Sequence, residues 1–123
     1  MNKVITALLA VSVIIISTST LATERNLTKK EKAKLTNLVK DKLNDPDSVK
    51  IKFGKMVVNK NNIYCGMVNA KNVFGGYVGF MPFIASISEP IGGYDLSTVI
   101  SIADDKYGYE AIVTQCTQYG YSL

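Results

Sequence analysis

The chain has 123 residues, a net charge of +4 and no histidine, so the commonest general base and triad orienter is missing. Apolar residues make up 47% of it and charged ones only 20%, a balance that excludes a disordered chain. Such a length holds one domain with one modest core.

Met1 to Ala22 reads as a cleavable export signal. Lys3 gives a positive start, Val4 to Ile16 is an almost unbroken apolar run, and Ser17 to Thr20 turns polar. Thr20-Leu21-Ala22 offers small residues where a signal peptidase reads, so cleavage is expected near Ala22. A spanning helix needs about 20 apolar residues, which this run does not reach. No cysteine follows it to form a lipobox. The expected product is one domain, residues 23–123, periplasmic or secreted.

Leu27 to Asn44 is predicted to form an amphipathic helix. Thr28 and Glu31 make a capping box, and Leu35, Leu38, Val39 and Leu43 form one apolar stripe. Pro46 disfavours helical geometry at Asp45 and sets the limit of the helix. The period then changes to two at Val49, Ile51 and Phe53, a half-buried strand that Met56-Val57-Val58 continues or re-enters. Asn59-Lys60-Asn61-Asn62 is a turn. Ile63–Asn69 and Gly76–Ile84 are the next strands, and Leu96 to Ile102 another. Glu110 to Gln118 reads as either a short helix or a strand, because Ile112, Val113 and Thr114 favour the latter. The expectation is an α+β fold, with an N-terminal amphipathic helix packed on a small antiparallel β-meander.

Cys65 and Cys116, 51 positions apart, are an even pair in a chain bound for an oxidising compartment, so one disulfide is expected. Closing that loop is worth about 4 kcal/mol in the chain-entropy account.

The stretch from Cys65 to Phe83 departs from ordinary hairpin chemistry. Gly66 and Gly79 interrupt strand-like runs, where glycine signals a closely approaching backbone or large side chain. Gly75-Gly76 suits a bulged turn. Asn69 and Asn72 can bond the loop backbone, with Lys71 pointing outward between them. Together with Asp45-Pro46-Asp47-Ser48, this string resembles a family of small exported proteins of bacteria and their prophages. The pattern is D-P-x-S followed by C-G-x-V-N-x-K-N-x-x-G-G-Y-x-G-x-x-x-F, and the resemblance covers roughly Leu35 to Ile84. It implies the fold and the exported context and brings no enzymatic activity with it.

Two sets of residues are candidates for binding. Asn69, Lys71, Asn72 and Tyr77 form a polar patch that either contacts a partner or holds the Gly-rich turn. Tyr107 and Tyr109, and Tyr119 and Tyr121, are pairs two apart that would each share a face if extended, and tyrosine suits recognition surfaces. Phe74, Phe80 and Phe83 read as core or helix-facing.

Charge is uneven: Glu24 to Lys60 carries 11 basic residues against 5 acidic ones, and Asn61 to the end 2 against 5. The Lys-rich helix could meet an anionic lipid surface, while the compartment disfavours nucleic acid. Ser48-x-Lys50 is no dyad, since Lys50 lies on the solvated side of its strand with no cause for a depressed pKa. Asp104 and Asp105, with Asp95 or Glu110, lack the spacing of a calcium loop. The sequence thus points to a non-catalytic exported protein-binding domain without cofactor, of the inhibitor, immunity or phage-exclusion kind. Its expected partner is an envelope or extracellular protein, and the alternative is an anionic lipid surface bound through the helix.

Overall fold

A computed structural model describes residues 12–16 and 23–123. The export signal and its cleavage point near Ala22 otherwise lie outside the described residues. Among those described, no helix is long and apolar enough to cross a membrane.

The first strand, β1 (Glu24–Arg25), leads into helix α1 (Lys29–Lys40). The capping box forms: Thr28 Oγ1 accepts the Glu31 N–H at 3.1 Å, and the Glu31 carboxylate accepts the Thr28 N–H at 2.9 Å. Arg25 grips the same carboxylate with two nitrogens, at 2.7 and 2.8 Å. That grip, with the Thr28 bonds, holds the Glu31 carboxyl down at about 2 despite its burial. The helix stops at Lys40, short of the expected Asn44, because the Lys42 and Leu43 amides bond back only three residues, to Val39 and Lys40.

A single 3₁₀ turn (Pro46–Ser48) precedes β2 (Lys50–Lys52). The main sheet then runs β2-β4-β5-β6, all antiparallel, with β4 at Ile63–Asn69, β5 at Met81–Ser86 and β6 at Thr98–Ile102. The expected meander is therefore present. Its third strand is displaced, starting at Met81 and not at Gly76. Pro82 sits in this central strand because it pairs with Met67 and its missing N–H would face β6 just past Ile102; its carbonyl accepts the Ala103 N–H at 3.0 Å. A bulge at Ile100 shifts the register between β5 and β6.

Strand β3 (Met56–Val57) pairs with β1 and not with the main sheet. Side chains join it to β4 where a ladder would otherwise run. The Tyr121 hydroxyl accepts the Val57 N–H at 3.1 Å and donates to the Ile63 carbonyl at 2.7 Å. The Asn59 amide bonds the Val57 carbonyl and both backbone groups of Ile63. Tyr64 donates to the Gly54 carbonyl, and burial pushes its hydroxyl up to about 12.

Strand alternation divides the core into two faces. Tyr64, Gly66 and Val68 stand on one face with Phe83 and Ala85, and Cys65 and Ile84 on the other. Gly66 is required by Phe83: an added Cβ would lie 2.9 Å from the phenyl ring. Helix α2 (Lys106–Gln118), capped by Asp105 accepting the Gly108 N–H at 2.7 Å, covers the Cys65 face. Cys116, one turn after buried Ile112, bonds Cys65 with the two Cα atoms 6.1 Å apart. The helix thus prevails over the β-propensity of Ile112-Val113-Thr114, because its i, i+4 spacing buries both anchors at once. Leu43, leaving α1, lies on the opposite face with Val68, Met81 and Ile102. The class is α+β with one disulfide, and a disulfide suits an oxidising, exported location.

Candidate functional site

Residues 70–80 between β4 and β5 form the most elaborately built segment on the surface. Asn72 Oδ1 accepts the Phe74 and Gly76 amides at 3.0 and 3.2 Å. Main-chain bonds Asn72 N–H to Gly76 O and Gly75 N–H to Asn72 O close the turn, with Gly75 at φ +81°. Asn69 Oδ1 holds the Gly79 amide at 3.1 Å, and Gly79 needs its freedom for a φ of +95°. This is why Tyr77, Val78 and Phe80, although spaced like a strand, do not extend β5.

The loop is fastened to the 3₁₀ turn by one residue. Buried Ser48 donates its hydroxyl to the Asp45 carbonyl at 2.8 Å and accepts the Lys71 N–H at 2.8 Å. Its own carbonyl accepts the Tyr77 hydroxyl at 3.0 Å. The two parts of the sequence pattern, D-P-x-S and the later Asn/Gly-rich string, therefore meet in space.

Three lysines surround the loop. Lys50 Nζ lies 4.5 Å from the Tyr77 ring centroid and Lys71 Nζ 5.7 Å from the same ring. Lys52 Nζ lies 4.0 Å from the Phe80 ring. Among the described residues the ion pairs are Arg25–Glu31 and Lys34–Asp95, so these three cations lie near aromatic rings and are not ion-paired.

At the tip, Phe74 is 92% exposed and Val73 73%. The expectation that Phe74 belongs to the core is wrong: Asn72 and Gly75 turn the chain outward there. Phe83 is fully buried as expected, and Phe80 is half-buried beneath Lys52. Against the base of the loop lies a groove of about 180 Å³, floored by Leu43, Val68, Val78, Met81 and Ile102 and also lined by Lys71 and Asp104.

Of the expected site residues, Asn69, Lys71, Asn72 and Tyr77 come together in this loop. The tyrosine pairs do not form a surface. Tyr107 and Tyr109 lie on a helix, which turns side chains two apart to opposite sides, so Tyr107 is 80% exposed while Tyr109 packs on the core. Tyr119 is half-buried at the end of α2, and Tyr121 is a core residue. On α1, Lys34 is taken up by Asp95 at 2.9 Å and the Ser88 carbonyl at 3.1 Å. Phe74 is the exposed tip residue that the sequence reading places in the core. Its signal is an apolar pair, Val73-Phe74, set between the turn formers Asn72 and Gly75-Gly76.

A larger open cleft, about 510 Å³, follows the edge of β4 beside Phe53, Gly54, Met67 and Tyr121. Its polar groups, Glu24, Lys52, Lys55 and Ser122, come from separate segments that no shared hydrogen-bond network ties together. Among the described residues, no group of three or more thiol or carboxylate side chains could hold a metal ion. Comparison with protein-family models, with curated proteins and with solved structures gave no match.

Proposed function

We propose that the chain is an exported, non-catalytic protein-binding domain that meets its partner through the 70–80 loop. The observation that carries this reading is an almost fully exposed Phe74 on a backbone fixed by Asn69, Asn72 and Ser48. Exposing a phenyl ring in water is unfavourable, and aromatic side chains are common anchors at the centre of interfaces. A loop already held in one shape loses little entropy when it binds. Inhibitors, immunity proteins and phage-exclusion factors are occupations that suit such a surface in the cell envelope. The test is capture of envelope and phage-derived proteins on the wild-type domain and on Phe74→Ala, followed by titration of each captured protein. A saturable partner that the variant loses supports the reading; retention of every partner by the variant overturns it.

A second reading has its own observation. Lys50, Lys52 and Lys71 lack carboxylates and flank an apolar tip, the arrangement of a peripheral contact with anionic lipid. It transfers the lipid-facing role from the Lys-rich helix to the loop. Each lysine would add about 1 kcal/mol, weakened by salt. Co-sedimentation with anionic phospholipid vesicles at rising ionic strength separates the two readings, since attraction to lipid falls as salt rises.

A further inference from the structure

We infer that the loop's partner is a second copy of this chain, the Phe74 of each copy seated in the groove at the base of the other's loop. The inference rests on the reading of 70–80 as a contact surface and names what it contacts. The groove, about 180 Å³, has an apolar floor rimmed by Asn44, Lys71, Asn72 and Asp104, and Phe74 leaves it unfilled in its own molecule because the Asn72 bonds point the tip outward. An apolar cavity of about 150 Å³ is enough for a benzene ring, so a phenyl group fits the space.

Knob and groove also lie on one patch. Val78 and Lys71 line the groove, and Phe74 stands between them in the chain. A surface that carries both a projection and its matching recess is self-complementary. A two-fold axis through such a patch makes both insertions at once and closes the assembly at two copies. The groove carries one cation and one carboxylate, Lys71 and Asp104, which the same axis can pair across copies. Lys50 and Lys52 are held over Tyr77 and Phe80. An apolar insertion of this kind persists in high salt, unlike attraction to anionic lipid.

Sedimentation of the purified protein between about 10 µM and about 1 mM tests this, in low and in about 0.5 M salt. The wild type is expected to dimerise in both. Phe74→Ala should weaken association at least about thirtyfold, as for a central aromatic anchor. Val78→Arg, which obstructs the groove from an exposed position, should do the same while leaving Phe74 intact. Both sites are exposed, so thermal melting of each variant should match the wild type at concentrations too low for dimerisation. Mixing the two variants should restore a weaker heterodimer, because Phe74 of the Val78→Arg chain finds an open groove on the Phe74→Ala chain. A wild type that stays monomeric to about 1 mM overturns the inference, as does undiminished dimerisation of Phe74→Ala. If the protein is monomeric yet another protein or anionic vesicles bind through Phe74, the second copy is excluded and the contact surface stands. If no binding depends on Phe74, both fall.

Discussion

The two long hairpin loops, 70–80 and 87–97, are equal in length and lie at opposite ends of β5. Each turns on a Gly-Gly pair and exposes an aromatic ring, Phe74 in one and Tyr94 in the other. They differ in what fastens them. The first is held by neutral hydrogen bonds to Ser48 and by lysines over aromatic faces. The second is held by charge: Asp95 accepts the Ser97 N–H at 2.9 Å and pairs with Lys34 at 2.9 Å. Ser97 in turn exchanges bonds with both backbone groups of Ser88. Equal length and similar turns thus give one loop fastened without a carboxylate and another fastened through an ionised one.

The largest change should come from a cross-link that serves neither loop. Replacing Cys65 and Cys116 by serine should cost about 2–5 kcal/mol, read as a lowered midpoint in chemical denaturation, with both loops losing amide protection together. Ser48→Ala comes next and should separate them. It leaves the half-buried Lys71 N–H without its acceptor, at a cost of about 1 kcal/mol. Amide exchange should speed up in residues 70–80 and stay unchanged in 87–97.

Acid should do the reverse. Asp95 is lowered from 3.8 to about 2, chiefly by its hydrogen bonds to Ser97 and then by Lys34, and Glu31 is lowered from 4.5 to about 2, chiefly by Arg25. Folded-state values below the ordinary ones mean that these contributions are complete above about 4.5 and are lost as pH falls toward about 2. In that window exchange should quicken in 87–97 before 70–80, which contains no carboxylate. Asp95→Asn should remove the difference while leaving the Glu31 part of the stability profile. The smallest effect is expected for Phe74→Ala, within about 0.5 kcal/mol in the stability of the monomer because the ring touches solvent, though it should weaken binding at least about thirtyfold.

Much of the scaffold was legible in the sequence because its signals are local. The capping box of α1, the limits of β4 and the cysteine pair each depend on a few neighbouring residues or on compartment. The strand expected from Gly76 starts only at Met81: Tyr77, Val78 and Phe80 are strand-forming types, and what overrides them is distant, Ser48 reaching Tyr77 and Asn69 reaching Gly79. The glycine at 66 was read correctly as a close approach, with Phe83 as the group that approaches. Tyr121 had no local signal at all. It looks like half of an exposed pair, and only bonds to Val57 and Ile63, 64 and 58 positions earlier, place it in the core.

That last contact sets an order of events. A chain delivered from its N-terminus brings β3 and β4 out long before the hydroxyl that joins them, and the sulfur partner of Cys65 arrives almost as late. Neither the seam nor the staple can close while the intervening 50-odd residues are still to be synthesised. Seam and staple alike therefore wait on the last helix and the tyrosine that follows it, so the bonds that complete the fold form only after the strands they join are already out.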